Sequence, residues 1–395
     1  MCSSHSDERS VLILMIAVAI IGCNAFLLSP ILNDIASSLS VSVAQIARAI
    51  AAYGGATALS SLFLAPYAAM IGVTRSMRYA AMLMVMGIVL SAGATTGGML
   101  ILAQALTGIA AGLMLPATYA ITAYVAPEGG SSAALGKVIA GWSLAMVAGV
   151  PLSAAISDMA NWRIAYGILA IMGGVFLFFS IKLPEIDTSD ERSGFSFYAY
   201  RSNPEILIVF LITLLYMTSF YGVYSFIGTF TRNNFNDNAT LASGVTMFYG
   251  VGFGLASIKS GLIDRYSPKS IAWLIFVAIS LVYFAISQNS SSLFFLFMIC
   301  LIWGGVNNFG LNVIVSMIIQ LSPGCKTTSL GIYSALSYGG AMIGSFLYGY
   351  IFNQWGFSVT AIVSLILCLI SALLAWVNVN YVGKARSHGV KKQKN

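Results

Sequence analysis

Twelve apolar runs, each long enough to cross a bilayer, punctuate this 395-residue chain. They begin near positions 11, 44, 79, 99, 134, 163, 206, 241, 270, 292, 328 and 358, mostly with only a few polar residues between them. A spanning helix needs roughly 20 mostly apolar residues, and in hydrocarbon it must satisfy its own backbone polar groups. The runs therefore predict an all-α membrane protein of twelve transmembrane helices, in which the short loops force neighbours to be antiparallel. Only 8% of the residues are charged and 58% are apolar, whereas a soluble chain carries about a quarter charged residues. The first run is long and lacks a small-residue cleavage site, so it is expected to remain as a span.

Twelve spans place both termini on one side of the membrane. If that side is the cytoplasm, the inner face holds 16 of the 19 Lys and Arg residues, and only Arg48, Arg163 and Arg232 lie outside. This asymmetry is a positive-inside signal and predicts cytoplasmic termini. The net charge of +7 then reports topology and not a nucleic-acid footprint. Five scattered cysteines and two histidines confined to the tails, His5 and His388, assemble neither a metal cluster nor a nucleophile with its base. No cofactor and no enzyme activity are expected.

The longest polar interval, 183–205, has six spans on each side. It predicts an N-terminal bundle over 1–182, a cytoplasmic linker over 183–205 and a C-terminal bundle with a basic tail over 206–395. Two bundles with a cavity at the midplane suit a transporter, and a non-transporting receptor or scaffold could use the same layout.

The stretch GWSLAMVAGVPLSAAIS places small residues at Gly141, Ala145, Gly149, Ser153 and Ser157, with Pro151 inside the run. A small residue at every fourth position lets helix backbones approach closely in lipid. Pro151 removes one helical hydrogen bond and bends the segment.

This stretch, with the following Trp162 and Arg163, resembles the fifth-helix antiporter motif of the major facilitator superfamily, in its twelve-span efflux branch. LAQALTGIAAGLMLPATYAITAYVAPE is similar to the fourth helix of that branch, SGLIDRYSPKS to an inner loop and IWGGVNN to the tenth helix. The resemblance covers essentially the whole chain. It implies the major facilitator fold in a bacterial inner membrane, a monomer in the lipid bilayer, and export of a drug, sugar, purine or nucleoside by alternating access. Protons are the implied exchange partner. By the same resemblance Gly149 and Pro151 form the structural motif, and Asp264 and Arg265 serve a gate.

The chain also departs from the family pattern. Ala69 and Met70 stand where the first inner loop carries an Asp-Arg pair, and Gln104 replaces an arginine implicated in proton coupling. A buried Gln hydrogen-bonds but does not titrate. No carboxylate falls at the centre of a span; Asp34, expected to face Arg48 across a short loop, is the coupling candidate, and Glu205 is the next. The resemblance further implies a cavity lined by spans 1, 4, 7 and 10. There the candidates for substrate binding are Asn24, Phe26, Gln104, Tyr119, Tyr221, Tyr224, Trp303, Asn307 and Asn308. Asn307, Asn308 and Asn312 are not expected to share one neighbouring helix, so at least one should face a wet cavity. Amides, phenols and an indole without a fixed charge fit a neutral or amphipathic solute such as a nucleoside, sugar or drug. A facilitator without proton coupling is the alternative mechanism.

Overall fold

The structure is a computed structural model. It describes residues 3–65, 71–126, 131–186, 204–235, 238–258, 267–288, 292–322 and 326–392. The helices are α1 (Ser3–Ser38), α2 (Val43–Leu59, extended by a π turn at Ser60–Leu64), α3 (Val73–Ala92), α4 (Gly97–Val125) and α5 (Ser131–Leu144, a π turn at Ala145–Gly149, then Val150–Met159). They continue with α6 (Trp162–Ser180), α7 (Pro204–Asn234), α8 (Ala239–Ile258), α9 (Pro268–Gln288) and α10 (Leu293–Leu321). The last helical stretch, Lys326–Lys392, breaks at Gly356, whose φ of 80° suits glycine and few other residues. It is thus two helices, α11 (326–355) and α12 (357–392).

The helices form two six-helix bundles, α1–α6 and α7–α12. Large apolar side chains such as Leu102, Ile171, Phe178, Leu281, Phe284 and Leu373 stay exposed on their outer surfaces. In water such a belt would be a liability, but in a bilayer it is the solvent-facing surface. Polar residues cap the helices where they leave the apolar layer. Ser42 and Gln45 make a capping box on α2, while Thr96, Asn161 and Ser292 accept from the first-turn amides of α4, α6 and α10. All four caps lie at the end of the molecule opposite the chain termini, called here the far end. At the near end, Arg78 of α3 donates to the Ser180, Ile181 and Leu183 carbonyls at and just beyond the end of α6 and pairs with Glu185 at 2.5 Å.

Close packing runs on glycine. A side chain at Gly108 of α4 would collide with the Tyr53 carbonyl of α2. The second half repeats this contact, with Gly304 of α10 against the Tyr249 carbonyl of α8, each residue 196 positions further along the chain. The repeat shows two halves built to one plan. In α5, Gly141 abuts the Met15 carbonyl of α1 and Gly149 abuts the Cys23 sulfur, so the stripe of small residues is the seam onto α1. The π turn at Ala145–Gly149 widens the helix just before Pro151. Pro151 has no N–H to donate, which fits a local loss of the regular ladder.

Three seams join the bundles. Gly228 of α7 lies against the Ser29 carbonyl of α1, Gly250 of α8 against Met146 of α5, and Gly54 of α2 against Tyr338, Ala341 and Met342 of α11. The sequence-derived linker falls mostly on 187–203, outside the described residues.

Gly304→Val, which drives a branched side chain into the Tyr249 carbonyl, should destabilise the purified protein by about 1–3 kcal/mol or more. Gly136→Ala, where a Cβ meets nothing within 4 Å, should not. Thermal unfolding in detergent, followed by loss of monodispersity, compares the two.

Candidate functional site

Two buried polar knots occupy the bundle interiors. In the first, Asn24 of α1 donates to the Gln104 side-chain oxygen at 3.3 Å and to the Thr107 hydroxyl at 3.1 Å. Gln104 in turn donates to the Ser91 hydroxyl at 3.1 Å and to the Tyr166 hydroxyl at 3.3 Å. These side chains are almost wholly buried within α1, α3, α4 and α6. Gln104 and Asn24 therefore cross-brace helices of the first bundle as neutral amides, with the Asn24 side-chain oxygen left without a partner among the described residues. A buried amide is tolerable only with partners. The sequence pattern on α4 alone could not show that α1, α3 and α6 supply them.

The second knot lies in the other bundle. The Tyr216 hydroxyl donates to the Asn307 side-chain oxygen, and the Asn307 amide donates to the Tyr249 hydroxyl at 2.5 Å. Asn308 donates to the Ser257 hydroxyl at 2.8 Å, and Asn312 donates back to Asn308 at 2.9 Å. Trp303 is fully buried among Phe220, Tyr249 and Tyr283, with ring centroids 5.1–5.6 Å away. Asn307 and Asn308 are buried with partners inside the bundle, while Asn312 is half-buried. Hydroxyls on α7 and α8 satisfy Asn307 and Asn308, and Asn312 bonds within its own helix. The Trp303 indole N–H has no hydrogen-bond partner among the described residues.

The aromatic residues behave differently. Phe26 of α1 sits edge-on to Trp142 of α5 at 5.8 Å and to Tyr224 of α7 at 4.9 Å, and stacks on Tyr221 at 6.4 Å. Trp142 donates to the Tyr119 hydroxyl of α4 at 3.3 Å. The Tyr224 hydroxyl meets Thr246 of α8 at 3.1 Å, and its backbone carbonyl accepts from Ser29 at 2.7 Å. Phe26 and Tyr224 are buried, whereas Tyr119, Trp142 and Tyr221 remain half-buried although they lie between the bundles. The structure thus brings Phe26, Tyr119, Tyr221 and Tyr224 together, from both halves.

Above this aromatic layer the far end is clamped. Asp34 of α1 pairs with Arg232 of α7 at 2.7 Å, accepts from Ser157 of α5 at 3.1 Å, and leaves the Arg232 side chain almost fully buried. Arg232 also donates to the Pro30 carbonyl at 3.3 Å, and Thr229 donates to Asn33 at 2.9 Å. Asp158, at the end of α5, receives the Ala239 and Thr240 amides at 2.9 and 2.6 Å and so caps α8 of the other bundle. A carboxylate on a helix N-terminus is held both by orphan N–H groups and by the helix dipole.

Arg48, assigned to Asp34 from loop proximity, is exposed instead; Asp34 crosses to α7. Arg232 and Asp158 were the functional candidates that sequence reasoning passed over. The available signal was that Asp34 and Arg232 end the first helix of each half. Glu205 pairs with Lys269 at 2.6 Å at the near end. Asp264 and Arg265 lie outside the described residues.

Asp34→Ala leaves the buried Arg232 guanidinium short of its charged acceptor and should weaken far-end closure by about 1.5–3 kcal/mol. Asp158→Asn should weaken it less, by under ~2 kcal/mol. Labelling of a Ser29→Cys reporter by a membrane-impermeant maleimide should accelerate accordingly; an unchanged rate in both variants contradicts the clamp.

The family model described as Major Facilitator Superfamily matches residues 14–324 and again 262–394. An uncharacterised transporter of this type from Bacillus subtilis, YwfA, is 25% identical over 94% of this chain and 92% of its own length. A protein named as a probable sugar efflux transporter, from Mannheimia succiniciproducens, is 27% identical over 85% of this chain and 86% of its own. The xylose transporter XylE of E. coli, in a partially occluded inward-open conformation, superposes with a TM-score of 0.74 at 12% identity, covering 94% of this chain and 98% of that one. The twelve helices, the repeated packing of the two halves and the match along nearly the whole chain agree that this multi-pass membrane protein belongs to the major facilitator superfamily and is a transporter, not an enzyme.

Proposed function

We propose that this transporter exports a small neutral or amphipathic solute, such as a sugar, a nucleoside or an uncharged drug, by alternating access of its two bundles. The observation that carries this reading is the uncharged aromatic layer of Phe26, Tyr119, Trp142, Tyr221 and Tyr224, drawn from four helices across both halves. Ring faces pack against the apolar face of a solute and phenols bond its hydroxyls. Among the described residues no ionised side chain takes part in this layer. A sugar is favoured by the relatives named as probable sugar efflux transporters. Hydrogen-bonded internal amides by themselves suit a static scaffold as well, but the family is one of transporters.

In this account the termini are cytoplasmic in a bacterial inner membrane, the far end faces outward, and the two bundles over 1–182 and 206–395 rock about the linker 183–205. The clasp of Asp34 with Arg232 holds the outer end closed; opening requires the pair to part, and a proton arriving on Asp34 supplies that release. The monomer carries this pathway whole, Gly149 and Pro151 tuning the seam of α5 and Asp264 with Arg265 serving the inner gate. A downhill facilitator is the second reading, favoured by the neutral knot around Gln104 in place of a titrating pair.

Proteoliposomes with an internal pH dye, challenged with sugars, nucleosides and cationic dyes, test both readings. Solute uptake with stoichiometric proton counterflow is expected in the wild type, and loss of the proton flux is expected in Asp34→Asn. Solute movement without proton flux in either protein selects the facilitator, and no movement of any neutral solute overturns the proposal.

A further inference from the structure

The two halves repeat one packing contact but treat its tyrosine differently. Tyr249 of α8 and Tyr53 of α2 occupy equivalent places, each offering its carbonyl to a glycine of the partner helix, Gly304 and Gly108. The Tyr249 hydroxyl is bonded to Asn307. In α4 the residue 196 positions before Asn307 is Ala111, which has no amide to offer. The Tyr53 hydroxyl is accordingly buried without a hydrogen-bond partner, its residue only 4% exposed. The nearby Thr57 hydroxyl donates to the Tyr53 backbone carbonyl at 2.7 Å. An unpaired hydroxyl in a dry interior is costly, a cost that a solute hydroxyl would relieve.

Tyr53 lies at the seam between bundles, beside Gly54, whose neighbours are Tyr338, Ala341 and Met342 of α11. Its ring meets that of Tyr338 edge-on at 6.3 Å. Tyr53 of α2 and Tyr338 of α11 thus meet across the seam between the bundles, and neither side chain carries a fixed charge.

We infer that Tyr53 is a specificity-determining residue of the solute site: its unpartnered phenol, with Tyr338 across the seam, hydrogen-bonds one hydroxyl of a neutral, polyhydroxylated solute. This rests on the proposed transport of a neutral solute and narrows it to solutes rich in hydroxyls. A phenol donates one bond and accepts others, as a hydroxyl does, so the match is reciprocal. Contact with α2 and α11 together also makes the solute span both bundles. Because the same ligand touches both sides of a moving seam, its binding is sensitive to the bundles' relative position.

The test is transport by full-length wild type, Tyr53→Phe and Tyr249→Phe in proteoliposomes, with labelled pentoses and hexoses and their monodeoxy analogues. Tyr53→Phe keeps the ring and its contact with Tyr338. For a solute that the wild type transports, it should raise KM about tenfold with maximal rate within about twofold. For one monodeoxy analogue, the wild type and Tyr53→Phe should have the same KM. The thermal midpoint of Tyr53→Phe should be equal to or higher than that of the wild type, since an unpaired hydroxyl has gone. Tyr249→Phe should lower the midpoint and leave KM unchanged. An unaltered KM in Tyr53→Phe, or an equal loss across every deoxy analogue, overturns the inference while leaving neutral-solute transport intact. A wild type that moves none of these sugars but moves another neutral solute overturns the polyhydroxylated class, and one that moves no neutral solute overturns the proposed function as well.

Discussion

Helices in hydrocarbon cannot rely on an apolar surface to drive them together, because lipid satisfies that surface equally well. Everything in this protein depends on the alternative, which is close backbone contact over residues with little or no side chain. Gly108 on Tyr53 and Gly304 on Tyr249 fix each bundle; Gly228 on Ser29, Gly250 on Met146 and Gly54 on Ala341 fix one bundle against the other. The first kind lies inside one bundle and the second between bundles, and in the proposed alternating access it is the second kind that must give way.

Polar groups are distributed to suit that division. Inside each bundle, amides and hydroxyls form hydrogen-bonded knots around Gln104 and Asn307 that brace helices of the same half. Among the described residues, charged contacts between bundles lie at the far end, where Asp34 meets Arg232 and Asp158 meets the start of α8. Charge-assisted bonds are strong where partly desolvated and vanish once their partners separate into water. They can therefore hold one state firmly without forbidding the other. The centre, left to aromatic rings and phenols, contributes a surface without a fixed charge among the described residues, consistent with the proposed neutral or amphipathic solute.

Much of the fold was legible because its signal is long and redundant. Twelve apolar runs mark twelve helices, and the four-residue spacing of small side chains marks the α5 seam. Less was legible at the site. Asn307, Asn308 and Asn312 read as a cavity lining because one helix's spacing shows which residues share a face but not which hydroxyls stand opposite. Tyr216, Tyr249 and Ser257, on other helices, turned out to satisfy two of them. Asp34 was matched to Arg48 by loop proximity, yet its partner comes from the first helix of the second half, about 200 residues away. Only the pseudo-symmetry of the halves could have suggested that pairing. The π turn ending α2 has no evident mark in its sequence, whereas that in α5 precedes a proline.

The central claim is that the clamped far end is one of two states of a single two-bundle machine. The most direct measurement is the distance distribution between spin labels on Thr95 and Phe294, exposed far-end residues of opposite bundles, in a cysteine-free background in lipid nanodiscs. The account predicts a short-distance population dominant in the wild type, and a second population several ångströms longer that grows when Asp34 is replaced by Ala. A single distribution, the same in both proteins, would contradict it.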